Sequence, residues 1–298
     1  MNTAPTPLFT LVFGPTASGK TNWAFQEAKH LQANILSYDS RQVFTGMDIV
    51  TGKDIPTSFV QETEPHSTFT TIPVYSDGQT RLYGFDIVTP DEDWSIAHFY
   101  RYAAPIIAHH RAEQKPLILV GGSWQYASVL LDPPESLFVP VNQVLRTQLA
   151  SKKREALQIQ LQEADADRWE KMNQSDQANH RRLVRALEIA HAKPTPVEPL
   201  LHSEAVRFHF ISNDPTTIRS RIAERVQQRF SQGALEETQK LMHQYQNWNV
   251  PAFSATGYTY LRQFLQNEIS ENDLLSLWTT QEYQYAKRQL TWLKSLTQ

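Results

Sequence analysis

Apolar residues fall along the chain in short, near-continuous runs that alternate with stretches of helical period. The run Leu8 to Phe13 (LFTLVF) stops at Gly14, and KTNWAFQEAKHL follows with apolar residues near helical spacing, which predicts strand, loop and helix. ANILSYDS predicts a second strand ending at Asp39, and KPLILVGGS a third whose Leu/Ile/Val run suits burial on both faces. AVRFHFIS (Ala205 to Ser212) predicts a fourth. Helices are expected in SIAHFYRYAAPIIAHHRAEQ, between the second and third strands, and in TTIRSRIAERVQQRF, started by Asp214 and Pro215. The last helix, around QYAKRQLTWLK, reads as amphipathic with Trp292 in the core. Residues 57–82 have β-propensity and an Asp77-Gly78 turn, the signature of a hairpin. Strands alternating with helices specify a doubly wound parallel α/β sheet covered on both faces.

From Val141 to Lys193 the strand pattern disappears and helical periodicity takes over, bracketed by prolines at 133, 134 and 140 and at 194, 196 and 199. The expected organisation is a core in two parts, residues 1–139 and 201–298, with a helical insertion domain over 140–200. Charge sharpens that division. The net charge of −3 argues against wholesale attraction to nucleic acid, yet residues 140–193 carry 10 basic and 7 acidic side chains against 8 and 14 in residues 1–139. Forty per cent hydrophobic residues in a 298-residue chain suffice for a sizeable core. Zero cysteines exclude disulfides, cysteine-ligated zinc and thiol nucleophiles. The N-terminal apolar run has no basic flank and falls far short of the ~20 residues of a membrane span, so a cytoplasmic protein without membrane contact is expected.

Gly14 to Thr21, GPTASGKT, has the Walker A spacing between a strand and a helix, the context in which the motif binds phosphate. Backbone amides of Gly14, Pro15, Thr16, Ala17, Ser18 and Gly19, so far as each has an N–H, together with the helix N-terminus form an anion site. Lys20 adds a cation and the Thr21 hydroxyl a ligand for Mg²⁺. The strand-end acid that holds Mg²⁺ in nucleoside triphosphatases is missing, because LILVGGS ends in two glycines. Asp39 is the remaining carboxylate expected at the phosphate pocket; it could orient metal, act as a base, or cap the next turn. Gly121-Gly122 allow close approach of a ligand or backbone, or form a plain tight turn, with Ser123 next to them. Arg221, Arg225 and Arg229, four apart, share one helix face, either toward an anion or toward solvent.

Together these segments resemble the tRNA dimethylallyltransferase (tRNA isopentenyltransferase) family. The resemblance runs through GPTASGKT, SYDSRQVFTGMDIVTGK, FDIVTPDEDWSIAHF, LILVGGS, RRLVRALEI, RIAERV, GYTYL and YAKRQLTWL, in the family's order over nearly the whole chain. It implies transfer of a dimethylallyl group from its diphosphate to N6 of the adenine 3′ of the anticodon, on a P-loop-type fold, with Mg²⁺ as cofactor. Thr16 would then hydrogen-bond the bridging oxygen of the diphosphate, while Lys20, the loop amides, Mg²⁺ at Thr21 and Arg221 stabilise the released anion. Asp39 matches the catalytic base. Asp39, Ser40, Arg41 and Gln42 would contact the adenine, Arg181, Arg182 and Arg185 in the insertion would contact tRNA, and Ser123 and Arg146 would be further RNA contacts. The implied partners are the tRNA anticodon stem-loop and dimethylallyl diphosphate, with a monomeric chain. The missing cysteines exclude the zinc finger of many eukaryotic members, which points to a bacterial or short organellar form.

Four places depart from the family pattern. Ser123 stands for the usual Thr and opens SWQY, DIVTGKD stands for DIGTAKP, YGF replaces a histidine pair, and Tyr283 occupies an expected Arg. Three other readings share parts of the motif set: a small-molecule kinase, an adenylate isopentenyltransferase acting on free nucleotide, and a non-catalytic RNA-binding relative.

Overall fold

The structure, a computed structural model, describes residues 7–192, 194–211 and 214–296. Ser212, the end of the fourth expected strand, and Lys193, the end of the expected insertion pattern, lie outside the described residues. The strands are β1 Phe9–Phe13, β2 Asn34–Ser37, β3 Val60–His66, β4 Thr70–Ser76, β5 Arg81–Tyr83, β6 Leu117–Val120 and β7 Val206–Phe210. The first helices are α1 Lys20–Leu31, α2 Ile96–Ala112, α3 Trp124–Leu131, α4 Gln143–Ala150, α5 Arg154–Ala164 and α6 Ala166–Lys171. They are followed by α7 Gln174–Gln177, α8 His180–Ala192, α9 Pro215–Arg229, α10 Leu235–Gln244, α11 Tyr258–Leu265 and α12 Glu271–Leu296.

The chain divides into two compact units, one made of residues 1–131 and 200–298 and the other of residues 132–199. In the first, one sheet has the order β3-β4-β5-β2-β6-β1-β7. The strands from β5 to β7 run parallel, and every residue of β1, β2 and β6 is buried, as the apolar run of β6 requires, with polar Thr10, Asn34 and Ser37 buried alongside. One layer of core consists of Val12, Ile35, Ile118 and Val120 under Ala24 and Ala28 of α1. The expected hairpin region is richer than its sequence suggests. β3 and β4 pair antiparallel, and the Asp77-Gly78 turn joins β4 to β5, with Asp77 Oδ1 accepting the amides of Gln79 and Thr80 at 3.0 and 2.8 Å. α9 starts where predicted: Asp214 Oδ1 accepts the Thr217 amide at 2.9 Å and Pro215 takes the first helical turn.

Trp292 is 52% exposed and is not core. Among the described residues, the buried positions on α12 are Leu274, Trp278, Glu282, Ala286 and Gln289. Trp292 is five full turns beyond Leu274 and shares its side of the helix, so angular position alone does not bury it.

The second unit is helical. Leu149, Leu157, Leu161, Leu183, Val184 and Leu187 from α4, α5 and α8 form its core. Side-chain caps at Asn142, Asp165 and Asn173 start α4, α6 and α7. The unit begins at Asp132, eight residues before the expected boundary at 140, because Arg185 of α8 donates to the carbonyls of Ser136, Val139 and Pro140 and ties that stretch to the helices. At its centre Glu188, whose side chain is fully buried, accepts two bonds from Arg146 at 2.7 and 3.0 Å, one from Arg185 at 3.0 Å and one from the Asn142 amide at 2.9 Å. Burial pushes the carboxyl up, but the bonds from Arg146, Asn142 and Arg185 outweigh it and hold Glu188 below its ordinary value.

A depressed carboxylate contributes stability above its unfolded-state value and loses that contribution as pH falls through the folded one. Removing one partner of a buried pair costs roughly 3–5 kcal/mol. Both guanidinium groups here are about one-third exposed, so Glu188→Gln is expected to lower unfolding stability at pH 7 by about 2 kcal/mol. Urea unfolding checks this: the difference from wild type should shrink below about pH 4, and a pH-independent difference would deny the carboxylate its role.

Candidate active site

β1, β2 and β6 end at one level, since Val12 and Ser37 both pair with Val120. Gly14–Thr21, Asp39 and Gly121-Gly122 therefore leave the sheet together, at the carboxyl ends of parallel strands where open α/β sheets bind ligands. The phosphate loop is folded in on itself: Lys20 Nζ donates to the Pro15 carbonyl at 2.6 Å and the Ser18 amide to the same oxygen at 3.3 Å. α1 has Gly19 in the left-handed region as its N-cap and no capping side chain, so the amides of its first turn are left for an anion.

A cavity of about 270 Å³ collects the chemistry-bearing residues. Thr16, Lys20, Thr21, Asp39, Ser40, Arg41 and Gln42 line it, joined by Arg225 and Arg229 from α9 and by Glu282, Tyr285 and Arg288 from α12. Asp39 Oδ1 accepts the Arg41 amide at 2.8 Å, so one oxygen caps the following turn, while Oδ2 faces Gly122. The capping reading of this carboxylate is thus realised on one oxygen, and the other is left at the cavity. Arg41 donates to the Pro251 carbonyl and, at 3.0 Å, to Ser254 Oγ; Gln42 donates to the Gly52 carbonyl at 2.8 Å and accepts from Ser37 at 3.1 Å. Ser123 Oγ donates to Ser40 Oγ at 3.1 Å. Gly121 serves the Tyr38 ring, which a Cβ would meet at 2.5 Å.

Of the α9 arginines, the structure brings Arg225 to Thr16, with Nη1 at 3.5 Å from Oγ1. Arg221 lines an adjoining pocket with Lys20 and Thr21. Arg229 is buried and pairs with Glu282 at 3.1 Å, which also accepts from Thr256 at 2.7 Å. Burial and the nearby Arg225 lower the Arg229 pKa against the opposing pull of Glu282. The departure at Gly52 has a steric reason here. Its φ of +64° lies in the left-handed region, and a Cβ would meet Arg229 Nη2 at 2.1 Å and Arg225 Nη2 at 2.5 Å. Tyr283, at an expected arginine, lies between Arg219 (5.5 Å from its ring centre) and Lys287 (4.8 Å), so cations still surround the position.

Gln289 was legible only as part of an amphipathic helix, yet it is the central connector. Its Oε1 accepts the Thr16 amide at 2.7 Å and its Nε2 donates to the Gly122 carbonyl at 2.7 Å. No local signal marks a glutamine that acts across 273 positions. Arg225 belongs to the four-residue arginine series of the sequence, in which the family resemblance points to Arg221.

In the helical unit, Arg146 and Arg185, expected among the RNA contacts, direct their guanidinium groups to Glu188. Arg182 is exposed and pairs with Asp176; Arg181 is exposed, with no side-chain partner among the described residues. Among the described residues no helix is long and apolar enough to cross a membrane, and no group of three or more His, Asp or Glu side chains is placed to hold a metal ion.

The fold and cradle define a P-loop α/β protein without the strand-end acid of the nucleoside triphosphatases. Residues 42–296 match the family model described as IPP transferase. The chain is 32% identical to tRNA dimethylallyltransferase 1 of Geotalea daltonii over 97% of this chain and 88% of the relative, and 32% identical to the tRNA dimethylallyltransferase of Herpetosiphon aurantiacus over 98% and 89%. The crystal structure of the tRNA isopentenylpyrophosphate transferase of Bacillus halodurans matches with a TM-score of 0.66 and 25% identity, over 97% of this chain and 87% of that one. A eukaryotic dimethylallyltransferase acting on tRNA shares the fold, with a TM-score of 0.75 at 20% identity over 96% and 69%. The chain belongs to the IPP transferase family, the tRNA dimethylallyltransferases.

Burial, aided by Arg225 and opposed by Asp39, lowers the Lys20 pKa to about 7. The cradle is therefore most cationic below that pH, and the free protein gives up the Lys20 proton above it. Sulfate keeps its charge across this range, so its affinity is expected to fall as pH rises from 6 to about 8, with proton uptake on binding above pH 7. Calorimetry in buffers of different ionisation enthalpy measures both; a flat profile without proton uptake would place the Lys20 titration elsewhere.

Proposed function

We propose that the protein transfers a dimethylallyl group from dimethylallyl diphosphate to N6 of the adenine 3′ of the anticodon in tRNA, releasing diphosphate. The observation that carries this reading is the convergence of Thr16, Lys20, Asp39 and Arg225 on one cavity at the strand ends. The phosphate loop would receive the diphosphate, and Asp39 Oδ2, unencumbered by the turn, would face the adenine. As the C1–O bond of the donor breaks and the C1–N6 bond forms, the N6 proton passes to Asp39 and the bond electrons leave with the diphosphate. Thr16 Oγ1, Lys20 and Arg225 meet the charge that develops on that leaving group. Because N6 is a weak nucleophile with its lone pair delocalised, positioning by Ser40, Arg41 and Gln42 and removal of its proton both matter.

Mg²⁺ fits this donor set as a companion of the diphosphate. It keeps several waters and needs one or two protein oxygens besides phosphate, a role open to Thr21 at the cavity wall without a carboxylate cluster. When bound it supplies further neutralisation of the leaving anion. The adenine must leave its stack to reach a base inside a cavity, which suits single-stranded loop RNA. Exposed Arg181 and Arg182 of α8 support a role for the helical unit in holding tRNA phosphates. All these groups come from one chain, so a monomer suffices.

Incubation with dimethylallyl diphosphate, Mg²⁺ and unmodified tRNA bearing adenine after the anticodon should add one isoprene unit to that adenine, read by mass spectrometry of the digested RNA. No addition to any such tRNA, or consumption of ATP in place of the prenyl donor, would overturn the reading. Asp39→Asn, which keeps an acceptor for the Arg41 amide, is expected to lower turnover by about 10²- to 10⁴-fold while diphosphate and tRNA still bind. Replacing Arg181 and Arg182 by Ala should weaken tRNA binding and reduce its salt slope by about one to two; an unchanged slope would exclude the pair as phosphate contacts.

A further inference from the structure

The cation that touches Thr16 is not free to meet a ligand. Arg225 Nη2 lies 2.7 Å from Asp54 Oδ2 and 3.5 Å from the Gly52 carbonyl, while Nη1 reaches Thr16. Asp54 lines the pocket formed by Lys20, Thr21, Arg221 and Arg225, a carboxylate at the wall of a site otherwise built to attract anions. Its neighbours fix it there. Gly52 and Asp54 both have positive φ, and Lys53 between them is buried, with its ammonium donating to the Phe44 carbonyl at 2.8 Å, to Asp48 at 2.6 Å and to Asp86. The turn therefore cannot swing away without exposing Lys53 or stranding its partners. Of the other carboxylates nearby, Glu282 is committed to Arg229 and Thr256, Glu224 to the Ser220 hydroxyl, and Asp39 caps the Arg41 amide with one oxygen and faces Gly122 with the other.

We propose that Asp54 is an internal counterion of the diphosphate cradle: it occupies Arg225 in the ligand-free protein and is exchanged for a phosphate oxygen when diphosphate binds. This rests on the donor reading given above. The exchange sets the affinity of the cradle. Arg225 keeps one hydrogen-bonded anion throughout, so the free site avoids an unneutralised Arg225 beside Lys20, Arg229 having its own partner in Glu282, and the diphosphate product meets a competitor that favours its release. Both enabling residues, Gly52 and Asp54, are departures from the family pattern, so the device is a property of this chain.

The test is calorimetric titration of inorganic diphosphate with Mg²⁺, without tRNA, into wild type, Asp54→Asn, Arg225→Gln and the double variant; Asn tolerates the positive φ at position 54. Asp54→Asn should tighten diphosphate about three- to fivefold, the scale of an exposed ion pair, and the gain should vanish when Arg225 is Gln. Unchanged affinity overturns the proposal. Weaker affinity also overturns it and makes Asp54 a ligand of the metal instead. Sulfate, titrated in parallel without Mg²⁺, separates this from the donor reading: tighter sulfate in Asp54→Asn with no diphosphate binding in either protein keeps the counterion and sinks the donor, whereas unchanged sulfate sinks the counterion.

Discussion

A single buried ammonium group organises the loop on which the site is built. Lys53 is 3% exposed, and a buried charge is tolerable only when it is paired and fully hydrogen-bonded. Its acceptors come from Phe44, Asp48 and Asp86, so residues 44–54 must wrap around it and against the segment after β5. Tyr75, donating to the other oxygen of Asp86 at 2.6 Å, extends the anchorage into β4. From the other side Glu237 of α10 accepts the amides of Asp48, Ile49 and Val50 at 2.8, 2.6 and 3.1 Å and the Tyr258 hydroxyl at 2.7 Å. The outcome is a rigid wall that presents the Gly52 carbonyl to Gln42 and Arg225 together.

That wall faces a group of cations whose mutual repulsion only a ligand relieves in full. The depressed values of Lys20 and Arg229 have the same two leading causes, burial and the charge of Arg225. Binding sites commonly hold such unfavourable electrostatics in their free state, and stability elsewhere compensates. Here the compensation includes the fully buried strands of the sheet and the Arg229–Glu282 pair that links α9 to α12.

Much of this was legible from local pattern. The phosphate loop could be read because its spacing, the strand before it and the helix after it are all local, and α9 because Asp214-Pro215 is a complete start signal. Asp39 was visible as a strand-end carboxylate, although which of its oxygens caps the turn was not. Illegible features are those made by distant partners: the Lys53 cluster, the seat of Arg229 on Gly52, and the Glu188 network, which turns two arginines of a basic segment inward. Net charge counts side chains without their partners, and so it overstated the free positive surface of residues 140–193. Helical periodicity likewise assigns a side of the helix but not its cover: Trp292 shares the side of Leu274 and is exposed.

Gln289 gives the site an order of assembly. The phosphate loop is translated 273 residues before the glutamine that receives the Thr16 amide. A nascent chain still lacking that part of α12 therefore carries every residue of the Walker motif without the bridge from Thr16 to Gly122. Closure of so long a loop is among the slow, entropically costly contacts of a fold. A segment made early is finished by one made 273 residues later, so a half-made molecule holds the Walker loop without its brace.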